Sequence, residues 1–226
     1  MTASNRAGLD PIEDAIAAIA AGRPVLVVDN EDRENEGDII FAAQSATAAM
    51  MGWTIRHSSG VVCVPMTGER ADLLQLPPMV AVNEDSKGTA YTVSCDAASS
   101  VTTGISASDR AHTANVLASA ASTASDLHRP GHIFPLRAVS EGVLSREGHT
   151  EAAVDLCRLA GCQPVGVIAE VVRDDGEMMR LDALRRFART HGCLLVSIED
   201  LVAYRRRKEG YGAGTPVAAG ERNYHD

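Results

Sequence analysis

Pro24-Val25-Leu26-Val27-Val28, Asp29-Asn30-Glu31-Asp32-Arg33-Glu34-Asn35-Glu36-Gly37-Asp38 and Ile39-Ile40-Phe41-Ala42 follow one another without a break, and their order decides how the chain folds. The two flanking runs are short, apolar and rich in β-branched residues, the pattern of buried strands. The segment between them is then the loop where one strand ends and the next begins. Six carboxylates crowd into it, with only Arg33 to offset them. Like charges this close repel, so the cluster costs stability unless a cation or polar ligand offsets it. Oxygen-rich sites suit hard ions such as Mg²⁺, Mn²⁺ or Ca²⁺. A solvated acidic turn would explain the composition equally well. An EF-hand would not, because Glu34 stands where that loop needs Gly.

Outward from this loop, composition narrows the choices. A chain of 226 residues suffices for one sizeable core or two small ones, and 45% hydrophobic content is an ordinary globular balance. A net charge of −9 argues against a general nucleic-acid binder but not against an anionic substrate, since local groups can outweigh the global field. Only 4% aromatic residues argue against a stacking platform for bases as well. The five cysteines are odd in number and form no CxxC, which speaks for reduced thiols in a cytoplasmic protein. Neither a secretory leader nor a run long enough to span a bilayer occurs, so no membrane partner is expected.

Helix signals surround the apolar runs. Asp10-Pro11-Ile12-Glu13 reads as a capped start with a capping box, and Thr47, Thr67 and Ser106 read as further N-caps. Val61–Pro65, Tyr91–Cys95, Pro164–Val172 and Leu194–Ser197 carry strand character, and Ala111–Ser125, Leu181–His191 and Ile198–Tyr204 helix character. Hydroxyls around Gly104 offer a plausible phosphate contact at a helix start, although capping alone would explain them. Asn83–Thr89 is a polar loop without an apolar anchor, as in many lids and many ordinary surface loops.

Three further places are candidates for chemistry. Arg146-Glu147-Gly148-His149-Thr150 immediately precedes an amphipathic helix, where free N–H groups favour an anion, Arg146 can grip phosphate and His149 can ligate a metal. Glu170 interrupts an otherwise apolar strand, so it must be paired, at an edge or in a site. His132 sits beside Pro130-Gly131, on backbone whose shape is restricted. Cys63, on a buried strand, is a weak candidate and more simply a small hydrophobe.

The acidic loop, Gly88-Thr89-Ala90-Tyr91-Thr92-Val93 with Val101-Thr102-Thr103-Gly104, Arg129-Pro130-Gly131-His132, and Arg146-Glu147-Gly148-His149-Thr150-Glu151-Ala152 together resemble the 3,4-dihydroxy-2-butanone 4-phosphate synthase family. The likeness runs over about residues 9–204. It implies an α+β single layered domain, a mixed β-sheet flanked by helices; by composition, a flexible arm over 1–8 and a Gly-rich, mobile polar tail over 205–226 flank it. It further implies conversion of D-ribulose 5-phosphate with Mg²⁺ or Mn²⁺ in a homodimer whose sites lie at the subunit interface. Glu34 and His149 match the family's metal ligands. Arg33, Glu34, Asp38, Arg146, Glu147, Gly148, His149, Thr150 and Glu170 match substrate-binding positions, and His132, Glu170 and Asp38 match catalytic ones. Asn30 and Lys87 depart from the commonest pattern, where Asp and His are usual. Some members continue into a GTP cyclohydrolase II domain; a chain ending soon after Tyr204 is expected to be monofunctional. A metal-dependent isomerase or aldolase, or a non-catalytic phosphate binder, are the competing readings.

Overall fold

The computed structural model describes residues 8–210. Most of the expected N-terminal arm, and the expected tail beyond residue 210, lie outside the described residues. The architecture is a single mixed sheet of seven strands between two layers of helices. The strands are β1 (Val25–Val28), β2 (Gly37–Ala42), β3 (Cys63–Thr67), β4 (Cys95–Ala97), β5 (Leu127–Ala138), β6 (Gly166–Glu170) and β7 (Leu194–Ser197), in the order β4-β5-β3-β6-β2-β1-β7. The helices are α1 (Ile12–Ala20), α2 (Ala48–His57), α3 (Gly68–Leu73), α4 (Ala107–Ala118), α5 (His149–Leu159), α6 (Leu181–His191) and α7 (Ile198–Lys208). This is the expected α+β layered domain.

The apolar runs are continuous because the sheet is covered on both sides. Leu26, Val28, Ile39 and Phe41 pack with residues of α2, α3, α4 and α6. Val25, Val27, Ile40 and Ala42 pack with α1, α5 and α7 on the other face. β1 and β2 pair antiparallel and carry the acidic loop between them, β7 runs parallel to β1, and β6 lies antiparallel between β2 and β3. Consequently the loop after β1, the start of β2 and the end of β6 meet at the same end of these neighbouring strands.

Thr47, Thr67 and Ser106 cap their helices as the sequence predicts, accepting from Met50, Arg70 and Asp109 N–H groups. Asp10 does not cap α1. Pro11 is the extended residue before the helix, and Asp10 instead pairs with β7, donating N–H to Leu195 O and accepting Leu195 N–H at Oδ2, both at 2.8 Å. The helix expected over Ala111–Ser125 occupies Ala107–Ala118, because Thr123 and Asp126 form their own capping box around a separate turn. The strands expected at Val61–Pro65 and Tyr91–Cys95 begin later, at Cys63 and Cys95. The last helix runs to Lys208, past the expected limit at Tyr204. Arg205 is buried and bonds to Asp155 Oδ2 at 2.8 Å, whereas Arg206, Arg207 and Lys208 are exposed.

Candidate active site

The loop between β1 and β2 is organised by its first carboxylate. Asp29 is buried, and Oδ1 accepts from Glu36 N–H at 2.9 Å while Oδ2 accepts from Glu34 N–H and Arg33 Nη1, both at 3.0 Å. Both oxygens are thus committed to holding the loop. Asn35 adopts the left-handed region with φ 57°, which Asn tolerates better than most residues. The turn sends Glu34 into one cavity and Glu36 toward another on the far side of the loop. Arg33 Nη1 also grips Glu34 Oε2 at 2.5 Å.

The N-terminus of α5 faces this loop. Gly148 is the residue before the helix, so Thr150 is not a cap; it is buried and lines the cavity. A Cβ at Gly148 would run into Arg146 Nη1 and come within 2.9 Å of Glu151 Oε2, and those two groups form an ion pair at 2.6 Å across the glycine. Glu151 is buried and also accepts Val139 N–H, which fixes the orientation of Arg146. His149 Nε2 donates to Val27 O at 3.1 Å. That bond leaves Nδ1 facing Glu34 Oε2 at 3.8 Å and Asp38 Oδ1 at 3.7 Å.

Asp38 and Glu170 are register partners across β2 and β6. Glu170 therefore ends a central strand, not the edge strand that would have been its commonest explanation. Asp38 is buried, and its Oδ1 has no hydrogen-bond partner. An unpaired buried carboxylate oxygen is costly, and here it points to where a cation or substrate hydroxyl would satisfy it. Burial pushes the Asp38 carboxyl well above its usual range, with Glu170, Glu34 and Glu36 adding to the rise and His149 opposing it. Burial alone would pull His149 down, but Asp38, Glu34 and Asp29 more than offset that and hold it above its ordinary value. The neighbouring His149 ring, helped by Arg33 and opposed by burial, lowers Glu34 to about 2.

Donor atoms of Asp29, Glu34 and His149 lie within 4.8 Å of one another, the only such grouping among the described residues. Since Asp29 is occupied by the loop's own N–H groups, Glu34 and His149 are the donors left for an ion. One carboxylate and one imidazole beside the orphaned Asp38 oxygen fit a hard divalent cation that takes its other ligands from water and substrate.

These groups open on a cavity of about 190 Å³ lined by Arg33, Glu34, Asp38, Arg146, His149, Thr150 and Glu170, with Cys63, Tyr91 and Thr89 on the other wall. The Cys63 thiol is pushed up to about 12, by burial first and then by Asp38 and Glu170, so it stays protonated. The polar loop over 83–89 stands at the rim: Lys87 Nζ bonds to Arg33 O at 2.7 Å, and Arg146 Nη2 bonds to Lys87 O at 3.1 Å.

Other expected residues lie apart. Glu147 is exposed and does not line the cavity. His132 is also outside it, on β5, with Nδ1 held by Asp96 Oδ2 of β4 at 2.7 Å and its ring part-exposed. In the hydroxyl cluster near Gly104, a carboxylate gathers the polar groups. Asp109 Oδ2 collects Thr102 N–H at 3.2 Å, Thr102 Oγ1 at 2.7 Å and Gly104 N–H at 3.1 Å. Asp29 and Glu151 escaped sequence reasoning as organisers. The signal was available for Glu151, a carboxylate on the inward face of the first turn of a helix that closely follows a candidate phosphate-binding Arg.

Residues 13–204 match the family described as 3,4-dihydroxy-2-butanone 4-phosphate synthase. The riboflavin biosynthesis protein RibBA of Nocardia farcinica is 58% identical over 202 residues, and that of Salinispora arenicola 57% over 198 residues. The alignments cover 88% of this chain but 49% and 47% of those proteins, so the chain spans about half the length of these relatives. A crystal structure of 3,4-dihydroxy-2-butanone 4-phosphate synthase in complex with two magnesium ions superposes with a TM-score of 0.87 at 48% identity, covering 90% of this chain and all of that one. The Candida albicans synthase superposes with a TM-score of 0.82 at 52% identity, covering 87% of this chain and 98% of that one. The chain belongs to the 3,4-dihydroxy-2-butanone 4-phosphate synthase family.

Proposed function

We propose that this protein converts D-ribulose 5-phosphate to 3,4-dihydroxy-2-butanone 4-phosphate and formate, for riboflavin biosynthesis, with Mg²⁺ or Mn²⁺. The observation that carries the reading is the convergence of Glu34, Asp38, His149 and Glu170 on one cavity whose rim holds Arg33, Arg146 and the start of α5. Glu34 and His149 Nδ1 would hold the ion. Bound there, it supplies Lewis-acid stabilisation of negative charge developing on substrate oxygens.

The other roles follow from each residue's surroundings. Arg146, aimed by Glu151, and the free N–H groups at the start of α5 bind the phosphate away from the reacting carbons. Asp38, whose burial raises its proton affinity, is suited to accept a proton next to the carbonyl and return it near neutral pH. Glu170 faces it across the strand pair and moves the second proton. Cys63, held protonated, forms the apolar wall.

His132 fits a homodimer with sites at the subunit interface. Its Nδ1 is oriented by Asp96 and its ring is part-exposed outside its own cavity, so it is presented to a second copy. Among the described residues no helix is long and apolar enough to cross a membrane; a cytoplasmic location is part of the same proposal.

Carbon NMR of ribulose 5-phosphate incubated with the protein tests the reaction. Formate and a four-carbon phosphate ketone, both lost on adding EDTA, are expected. A sugar-phosphate isomer without formate would replace this reading with an isomerase.

A further inference from the structure

Behind the acidic loop, on the side away from the active-site cavity, lies a second cavity of about 220 Å³ lined by residues of the loop and the start of α6. One side chain crosses it. Arg180, the residue before α6, donates from Nη1 to Glu34 O at 2.7 Å and to Asn35 O at 2.6 Å, with Glu36 Oε1 at 3.6 Å. These carbonyls are the two at the turn that sends Glu34 inward, one of them on the left-handed Asn35.

The backbone on either side of the half-exposed Arg180 is tied to the sheet. Val172 and Met178 bridge antiparallel beyond the end of β6, and Met179 N–H bonds to Val171 O, which returns the chain beside the loop. One turn into α6, Leu184 is buried against Gly37, where a Cβ would meet Leu184 Cδ1 at 2.5 Å. The start of α6 is therefore docked on the end of the loop, and Arg180 spans the remaining gap.

The loop is clamped from inside by the Asp29 carboxylate, which takes N–H groups, and from outside by the Arg180 guanidinium, which takes carbonyls. Without the outer clamp the Glu34 and Asn35 carbonyls turn to water, and the local repulsion among Glu34, Glu36 and Asp29 is free to open the turn. We infer that Arg180 is a positioning residue for the metal site, fixing the backbone from which Glu34 reaches toward His149 while touching neither ion nor substrate. This rests on the proposed metal-binding role of Glu34 and His149.

Mn²⁺ binding to purified protein, read from the free-ion electron paramagnetic resonance signal, tests it without turnover. Residues that orient a metal ligand typically cost roughly 10- to 100-fold in affinity when removed. Arg180→Ala is expected to raise the Mn²⁺ dissociation constant by about that factor, with circular dichroism unchanged, and Arg180→Lys to fall between it and wild type. Wild-type affinity in folded Arg180→Ala would overturn the inference. If Arg180→Ala does not fold, Arg180→Lys carries the test, and wild-type affinity there together with a lowered melting temperature would likewise leave only a structural role. Failure of the underlying reading looks different: wild type would bind no Mn²⁺, or His149→Ala would bind it as well as wild type.

Discussion

His149 divides its two ring nitrogens between fold and chemistry. Nε2 bonds to Val27 O in β1, and Nδ1 is turned to Glu34 and Asp38. A hydrogen bond on one nitrogen sets which nitrogen is left for a metal. If Glu34 and His149 hold the ion as proposed, removing either side chain should abolish formate release in folded protein. The loss in Glu34→Ala and His149→Ala should exceed the roughly 100-fold that loss of a residue merely orienting a ligand can cost; near-full activity in either would refute the assignment. Proton linkage gives a second test. The carboxylates around it hold the metal-free His149 imidazole above its ordinary proton affinity, so an ion must displace that proton to bind. Mn²⁺ affinity should rise as pH increases, with proton release detectable by titration calorimetry in buffers of different ionisation enthalpy. Affinity independent of pH would mean that His149 is not a ligand.

At the scale of elements, the β1–β2 hairpin places the acidic loop, and α6 braces it through Leu184 on Gly37. A methyl group at Gly37 would overpack that contact. Gly37→Ala should destabilise the protein by about 1–3 kcal/mol, read as a lowered denaturation midpoint, and should weaken metal binding as well. Unchanged stability would mean that the helix yields without effort. Helix α6 and strand β7 were legible in the sequence because amphipathic spacing and an unbroken apolar run are local signals. The roles of Asp10, Asp109 and Asp126 were not. A short carboxylate can cap a helix, pair with a strand or gather loop N–H groups, and only the neighbours brought by the fold decide which. The same limit hid Asp29 and Glu151, whose partners are backbone N–H groups and an Arg across a glycine. Glu34, Asp38, Arg146 and His149 were legible because they fall in two compact motifs. The edge explanation for Glu170 failed because strand order is not a local property.

For the whole molecule, the sheet brings two distant segments to one cavity but leaves His132 and Asp96 outside its lining, on β5 and β4 at the β4 end of the strand order. A dimer that joins this end to another copy's cavity is the proposed resolution. Light scattering at working concentration should give twice the chain mass, and a fully active monomer would remove the role offered for His132. The central claim is that Glu34 and His149 hold a divalent ion beside Asp38. The most direct measurement is anomalous diffraction from a crystal of this protein grown with Mn²⁺. A peak within coordinating distance of Glu34 and His149 Nδ1 is the predicted result; a site elsewhere, with those two residues unligated, would contradict the account.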